Sequence, residues 1–343
     1  MKQIKQQALF MAGLLAALVV GSVFVGCENE RVNDGGANGD GTVPSGLGYE
    51  RNEQGGATIT GYNGPAATAI VIPAEIEGLP VTAIGERAFF GNGGIPSVTI
   101  PASVTAIGDE AFQWCSGLAS ITVDQHNTVY ASIDGVLFTK NQKTIVTCPG
   151  GKEGAYTIPG SVTAVGDGAF AWCKRLASVI IPDGVTSIGG SAFAECSGLT
   201  SVTIGGSVTS IGDHAFAGCE RLTSVIIPDG VAFIREGTFN GCERLASVTI
   251  PDGVTAIEKW AFSGCERLTS VTIPGSVSAV GDYAFSECWN LTSVTFGAGS
   301  SIRPADFGYF SPFPSYLRDK YLEAGPGTYT RPNRDPDFWT KQP

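Results

Sequence analysis

Cysteine thiols are the most reactive groups in this 343-residue chain, and their spacing restricts what they can do. Six of them recur every 23 residues: Cys173, Cys196, Cys219, Cys242, Cys265 and Cys288. Regular spacing stacks these side chains with parallel Cβ directions, whereas a disulfide between neighbours needs opposed rotamers. The chain has no C-x-x-C pair, which disfavours zinc. We expect buried free thiols and no metal site, with disulfides between neighbouring repeats as the alternative.

Cys27 differs from the other cysteines because of the residues that precede it. Lys2 and Lys5 give a basic start, and the uncharged run from Ala8 to Val25 follows before Gly26. A basic segment, an apolar segment and a small residue at the end form the pattern of a secretory signal peptide. Gly26-Cys27 also resembles the bacterial lipobox, in which the cysteine receives diacylglycerol. We expect residues 1–26 to be a lipoprotein signal peptide and Cys27 the lipidation site; an uncleaved membrane anchor and soluble secretion are the alternatives.

The other chemical groups disfavour catalysis. His126 and His214 are the only histidines, which nearly excludes His-based catalysis and multi-His metal sites. Aspartates recur at turns of the repeat, as at Asp183 and Asp229, whereas an active site needs one unlike pair in a pocket. A calcium ladder is the alternative for these aspartates. The net charge of −11 argues against a nucleic-acid partner. We expect no enzyme activity and no cofactor.

These residues lie in a 23-residue repeat with the skeleton L-x-x-V-x-I-P-x-x-V-x-x-I-x-x-x-A-F-x-x-C-x-x-L. In one copy, Val225 and Ile227 alternate as in a β-strand, and Pro228 then ends that strand. Asp229-Gly230 supplies a turn, and apolar residues at fixed positions return the chain around a core. One such circuit, here called a rung, cannot close a core alone, but stacked rungs share one.

The repeat predicts a β-rich solenoid of about ten rungs, with a length of about 45 Å at the usual strand spacing. Its strands lie near residues 70, 98, 121, 156, 179, 202, 225, 248, 271 and 294. We place the solenoid at residues 49–299 and a flexible Gly-, Asn- and Asp-rich tether at residues 27–48. Residues 300–343 are expected to form a small C-terminal cap and tail, with a helix at 315–323.

An insert at residues 124–154 interrupts the repeat, because the strands near 121 and 156 are 35 residues apart. Tyr130–Ile133 and Val136–Thr139 flank Asp134-Gly135, which is the pattern of a β-hairpin. A third strand is expected at 144–148, and the whole insert is expected to protrude. At the N-terminal end, Ala57–Tyr62 is the candidate capping strand.

The repeat as a whole resembles the BspA-type subclass of leucine-rich repeats, which occurs in bacterial surface proteins and in some parasitic protists. The resemblance spans residues 57–299 and depends on many positions that recur in phase. It implies a surface protein, and several family members are linked to adhesion to host matrix proteins and to other cells. The family offers no catalytic motif and no shared ligand-contact residues to transfer.

The outward positions of the predicted strands are the candidate partner-binding face, since the strand face of leucine-rich repeats usually meets partners. This strand face comprises Ile180, Thr203, Ile226, Thr249, Thr272 and Thr295, next to a row of serines. Simple suitability of Ser and Thr for an exposed strand is the alternative.

Taken with the signal sequence, the resemblance implies a lipid-anchored, non-catalytic protein of the cell envelope, exposed at the outer membrane surface. It would be an adhesin or host-interaction scaffold whose partner is a host matrix or cell-surface protein. Two alternatives are a structural lipoprotein that faces the periplasm and a glycan-binding surface module. Glycan binding requires aromatic platforms outside the core, for which Trp114, Trp172, Trp260 and Trp289 are the candidates.

Overall fold

The computed structural model describes residues 43–66, 69–300, 302, 317–331 and 339–343. The expected signal peptide, Cys27 and most of the expected tether lie outside the described residues. Within the described part, no helix is long and apolar enough to cross a membrane. The described residues all belong to one unit of the chain, residues 33–343.

Ten short strands form the first side of the solenoid, at the positions that the repeat predicts. In order they are β3 Ile70–Val71, β6 Ser97–Ile100, β8 Ser120–Val123, β12 Gly154–Thr157, β14 Leu176–Ile181, β16 Ser201–Ile204, β18 Ser224–Ile226, β20 Ser247–Thr249, β22 Ser270–Ile273 and β24 Ser293–Phe296. Strands pair in parallel and in phase with the repeat, as Ser178 with Ser201 and Ile180 with Thr203, and the pairing is interrupted after β8, β16 and β20. The predicted solenoid of about ten rungs is confirmed.

A second parallel sheet, which is divided at two points and which the sequence analysis missed, forms another side of the rungs. Its strands are β5 Leu79–Ile84, β7 Ala106–Ile107, β11 Thr144–Thr147, β13 Ala164–Val165, β15 Ser187–Ile188, β17 Ser210–Ile211, β19 Phe233–Ile234, β21 Ala256–Ile257 and β23 Ala279–Val280. Most of these strands have two residues, which is too short for any alternation of polar and apolar residues to appear. Glu75–Ile76, β4, pairs antiparallel with β5 in a stretch that lengthens the first rung.

The third side of each rung carries the repeated phenylalanine. The Phe193 backbone N–H donates to the Ala215 carbonyl of the next rung, and Phe216 donates likewise to Thr238. The phenylalanine rings stack inside the core: the centroids of Phe193 and Phe216 are 5.1 Å apart, and those of Phe216 and Phe239 are 5.5 Å apart. Each rung therefore shares both its hydrogen bonds and its apolar interior with the rungs on either side.

The expected hairpin in the insert is present, but the expectation that the insert protrudes is wrong. Its strands are β9 Tyr130–Ile133 and β10 Val136–Thr139, and β11 extends this sheet into the second side of the solenoid. Val136, Leu137 and Phe138 in β10 are all fully buried. Val136 and Phe138 join one hydrophobic cluster, whereas Leu137 joins another. Strand β10 is buried because both of its faces meet apolar core.

Both ends of the stack are covered. At the N-terminal end, β1 Leu47–Arg51 pairs antiparallel with β2 Ala57–Tyr62, and β2 pairs with β5, so the ordered cap begins two residues before the expected start of the solenoid. At the C-terminal end, helix α1 Leu317–Ala324 precedes β25 Gly327–Thr330 and β26 Thr340–Lys341. Strand β25 pairs antiparallel with β24, so the last rung has no free edge on this side.

Candidate functional site

The strand face lies on the outside of the first sheet. Valines of the same strands, such as Val179 and Val225, point inward and are buried, so alternation leaves the predicted residues outside. Ile180, Thr203, Ile226, Thr249 and Thr272 are exposed. Thr295 is half-buried instead, because its Oγ1 lies 3.0 Å from Oγ1 of Thr328 in the covering strand β25. The face therefore offers five fully available positions in successive rungs.

Two isoleucines interrupt the hydroxyl surface of the strand face. Ile226 is 73% exposed and Ile180 is 48% exposed, and each is flanked by a threonine in a paired strand: Ile180 by Thr203, and Ile226 by Thr249. Threonine fits the same position in other rungs, so strand propensity does not require an exposed isoleucine there. Exposed apolar side chains on a flat sheet are suited to burial against a partner.

The cysteine ladder is buried in the corner between the third side and the first sheet. All eight cysteines from Cys115 to Cys288 are free and buried. The Cys219 thiol donates to the Phe193 carbonyl at 3.2 Å, and Cys242 donates likewise to Phe216 at 3.3 Å. Asn92, which replaces cysteine in its rung, donates from Nδ2 to the Tyr62 carbonyl. The ladder therefore pairs with backbone carbonyls of the previous rung, and the alternative of disulfides between rungs is not what the structure forms.

Burial also makes these thiols poor nucleophiles. Burial raises the pKa of Cys115 to about 11, and it raises that of Cys219 well above its usual range. The thiolate is the reactive form, so a raised pKa leaves little of it at neutral pH. These cysteines stabilise the corner and do not form a reactive site.

We expect thiol alkylation to separate native from unfolded protein. A neutral alkylating reagent should modify almost none of the eight described cysteines in the native protein, because none is accessible. Seven or more should react after denaturation without reductant, as counted by mass spectrometry. Six or more residues remaining in disulfides after denaturation would contradict this arrangement.

Three aromatic side chains meet on the surface next to the insert. The ring centroids of Phe90 and Trp114 are 5.5 Å apart, and those of Trp114 and Trp172 are 4.1 Å apart. Trp114 and Trp172 occupy the same position of the repeat but are 58 residues apart in the chain. Their rings meet because Gly150 and Gly151 let the insert's backbone approach Cys115 and Leu118 closely. The middle ring, that of Trp114, stays 43% exposed. We call Phe90, Trp114 and Trp172 the aromatic row.

An open groove with a volume of 790 Å³ is lined in part by Gln113, the residue before Trp114 of the aromatic row. Its polar lining includes Asp109, Glu110, Gln113, Asp167, Asp213 and Arg235. Its lining also includes Gly168 and Ser191, which have small side chains at the repeat position where Trp260 and Tyr283 stand in later rungs. We call this the polar groove.

Carboxylates also stack along the outer corner near the cysteine ladder. Burial raises the pKa of Glu195, and Glu220 in the next rung raises it further, although Lys174 opposes the shift. Burial likewise raises the pKa of Glu243, which lies between Glu220 and Glu266. Repulsion between these stacked carboxylates is therefore only partly compensated by the neighbouring basic residues. Among the described residues, no three His, Cys, Asp or Glu side chains form a group that could hold a metal ion.

The solved structures that resemble this chain are bacterial leucine-rich repeat proteins. A leucine-rich repeat protein from Eubacterium ventriosum is 28% identical, with a TM-score of 0.64 over 73% of this chain and 67% of that chain. A leucine rich cell surface protein from Faecalibacterium prausnitzii is 23% identical, with a TM-score of 0.45 over 77% of this chain and 95% of that chain. A leucine-rich repeat protein from T. pallidum is 29% identical, with a TM-score of 0.39 over 67% and 91%. Of these three, the first supports the solenoid fold.

The sequence comparison agrees with the structure. No curated protein matches this chain. The family described as BspA type Leucine rich repeat region matches six copies, over residues 66–151, 154–232 and 209–311. These ranges cover most of the chain and include the ten stacked strands from β3 to β24. The chain therefore belongs to the BspA-type leucine-rich repeat family.

Proposed function

We propose that this protein is a non-catalytic, lipid-anchored adhesin of the cell surface, and that its strand face binds a host matrix or cell-surface protein. Leucine-rich repeat solenoids generally bind macromolecules over extended surfaces, and this chain has such a surface. The observation that carries the proposal is the exposure of Ile226 and Ile180 on an otherwise hydroxyl-lined sheet.

The composition of the strand face fits a protein partner. Its outer rows carry threonine, serine and isoleucine without any charged side chain, so little desolvation of charge opposes binding. An apolar centre within a neutral polar surround is the usual anatomy of a protein–protein interface. The strands that carry Ile180 and Ile226 are each hydrogen-bonded to a parallel neighbour, so few groups lose freedom on binding.

Replacing both isoleucines by threonine tests this face without disturbing the sheet. The ligand is whichever of immobilised collagen, laminin and fibronectin the parent protein binds. We expect the Ile180→Thr/Ile226→Thr protein to bind this ligand at least about tenfold more weakly, a loss of about 1.4 kcal/mol in binding free energy. The matched control is Phe233→Thr, which removes an exposed apolar side chain from the second sheet. Equal loss in the control, or parental affinity in the double variant, would contradict the role of the strand face.

The lipid anchor is tested by Cys27→Ser. Only a thiol accepts the diacylglyceryl group, so we expect the serine variant to incorporate no clickable fatty acid during growth, whereas the parent is labelled. The observation behind this expectation is Gly26-Cys27 directly after the apolar run. Undiminished label in the serine variant would rule out the lipoprotein.

Surface exposure and a periplasmic orientation make different predictions for intact cells. A surface adhesin should be digested by external protease, whereas a structural lipoprotein facing the periplasm should be cut only after the outer membrane is permeabilised. A marker known to be periplasmic must remain intact in the same sample. Protection of this protein together with that marker would favour the structural alternative.

A further inference from the structure

We propose that the aromatic row and the polar groove together form a binding site for an uncharged saccharide chain. The site lies on the outer corner and second side of the solenoid, whereas the strand face lies on the first sheet. It is therefore independent of the adhesin role proposed above.

The aromatic row supplies a flat apolar platform. Sugar rings present a face of C–H bonds whose partial positive charge is attracted to the electron-rich face of an indole. Arg87 lies 4.8 Å from the Phe90 ring and Lys174 lies 4.7 Å from the Trp172 ring. Those two outer rings are therefore engaged by cations, and Trp114 between them remains the exposed ring.

The polar groove supplies hydrogen-bond acceptors and donors beside that platform. Asp109, Asp167 and Asp213 are exposed carboxylates that can accept hydrogen bonds from hydroxyls, and Asp167 Oδ1 already accepts one from the Gly190 backbone N–H. Gln113 and Arg235 add donors at opposite sides of the groove. A volume of 790 Å³ is in the range of small-ligand sites, and the groove is open, so a longer chain can pass through it.

Charge narrows the class of saccharide. Four carboxylates and one guanidinium line the groove, and Glu110 is already paired with Arg87, its Oε2 lying 2.6 Å from Arg87 Nε. The remaining negative charge repels uronic and sialic acids. Hydroxyl-rich chains match the carboxylate acceptors of the groove.

Retardation in native gels that contain a soluble polysaccharide tests the site with the full-length protein. The gels contain xyloglucan, mixed-linkage β-glucan, mannan or dextran, with hyaluronan as the anionic probe. We expect retardation by at least one neutral polysaccharide and none by hyaluronan. Trp114→Ala should weaken that retardation at least about tenfold, whereas Trp114→Phe should largely retain it because a planar ring remains.

A second variant fills the groove without touching the aromatic row. In Ser191→Tyr, tyrosine stands at the repeat position that Tyr283 occupies in another rung, so the fold should accept the substitution. It should abolish retardation with an unchanged melting temperature, and the control Trp289→Ala, at an exposed tryptophan outside the site, should change nothing. No retardation by any neutral polysaccharide, or parental retardation in both Trp114→Ala and Ser191→Tyr, would overturn the proposal. Retardation by gelatin alone that Trp114→Ala abolishes would also overturn it, in favour of a polypeptide site.

Discussion

Phe216→Ala should lower the free energy of unfolding by about 3–5 kcal/mol, since it removes a fully buried ring and leaves a cavity. Phe216 stacks on Phe193 in one neighbouring rung and on Phe239 in the other, so one substitution damages two interfaces. Because rungs are stabilised by their neighbours, the damage should spread beyond the mutated rung. Urea unfolding followed by circular dichroism measures the effect.

The control for Phe216 is Thr249→Ala, on the outer face of β20. Its side chain is exposed, so we expect a change within about ±0.5 kcal/mol. A parental unfolding midpoint for Phe216→Ala would mean that the phase of the repeat has been assigned wrongly, and the inward and outward positions would exchange roles.

Phe138→Ala should have an effect of similar size, about 3–5 kcal/mol, although it lies in the insert. Phe138 is fully buried in the larger hydrophobic cluster, together with Phe170 and residues of the later rungs. A protruding hairpin would tolerate this change with little loss, so the measurement separates the two arrangements. Lys143→Ala, an exposed position in the same insert, is the matched control and should be nearly neutral. Equal midpoints for both variants would show that the insert does not contribute to the core.

The parts of the fold that repeat were predictable, because the same evidence recurs many times. Val225 and Ile227 alone suggest only a short strand, but their equivalents in the other rungs, at the same spacing, fix which face is inward. The insert occurs once, so its local alternation gave the hairpin but not the side of the solenoid on which it packs. Three consecutive residues of β10 are buried, so the strand shows no alternation of polar and apolar positions. The sequence therefore did not reveal that both faces of this strand are covered.

The candidate sites were predictable to different degrees. The strand face follows from alternation, except at Thr295, where the covering strand β25 arrives from 33 residues further along the chain. The polar groove had a partial signal in the sequence: Gly168 and Ser191 have small side chains where Trp260 and Tyr283 stand in later rungs. The meaning of this signal depended on the path of the insert's backbone through Gly150 and Gly151. The same path brings Trp114 against Trp172, and no local sequence pattern reveals it.

Strand β10 also divides the solenoid mechanically. Leu137 belongs to the cluster that contains the first rungs, whereas Val136 and Phe138 belong to the cluster that runs to the C-terminal cap. The Ile121 backbone N–H in β8 donates to the Gly135 carbonyl of the hairpin, and β8 and β12 are in separate sheets, so the insert interrupts the first side at this point. A load applied between the two ends of the stack meets two cooperative blocks in series, joined by a hairpin, and the joint lies beside the aromatic row.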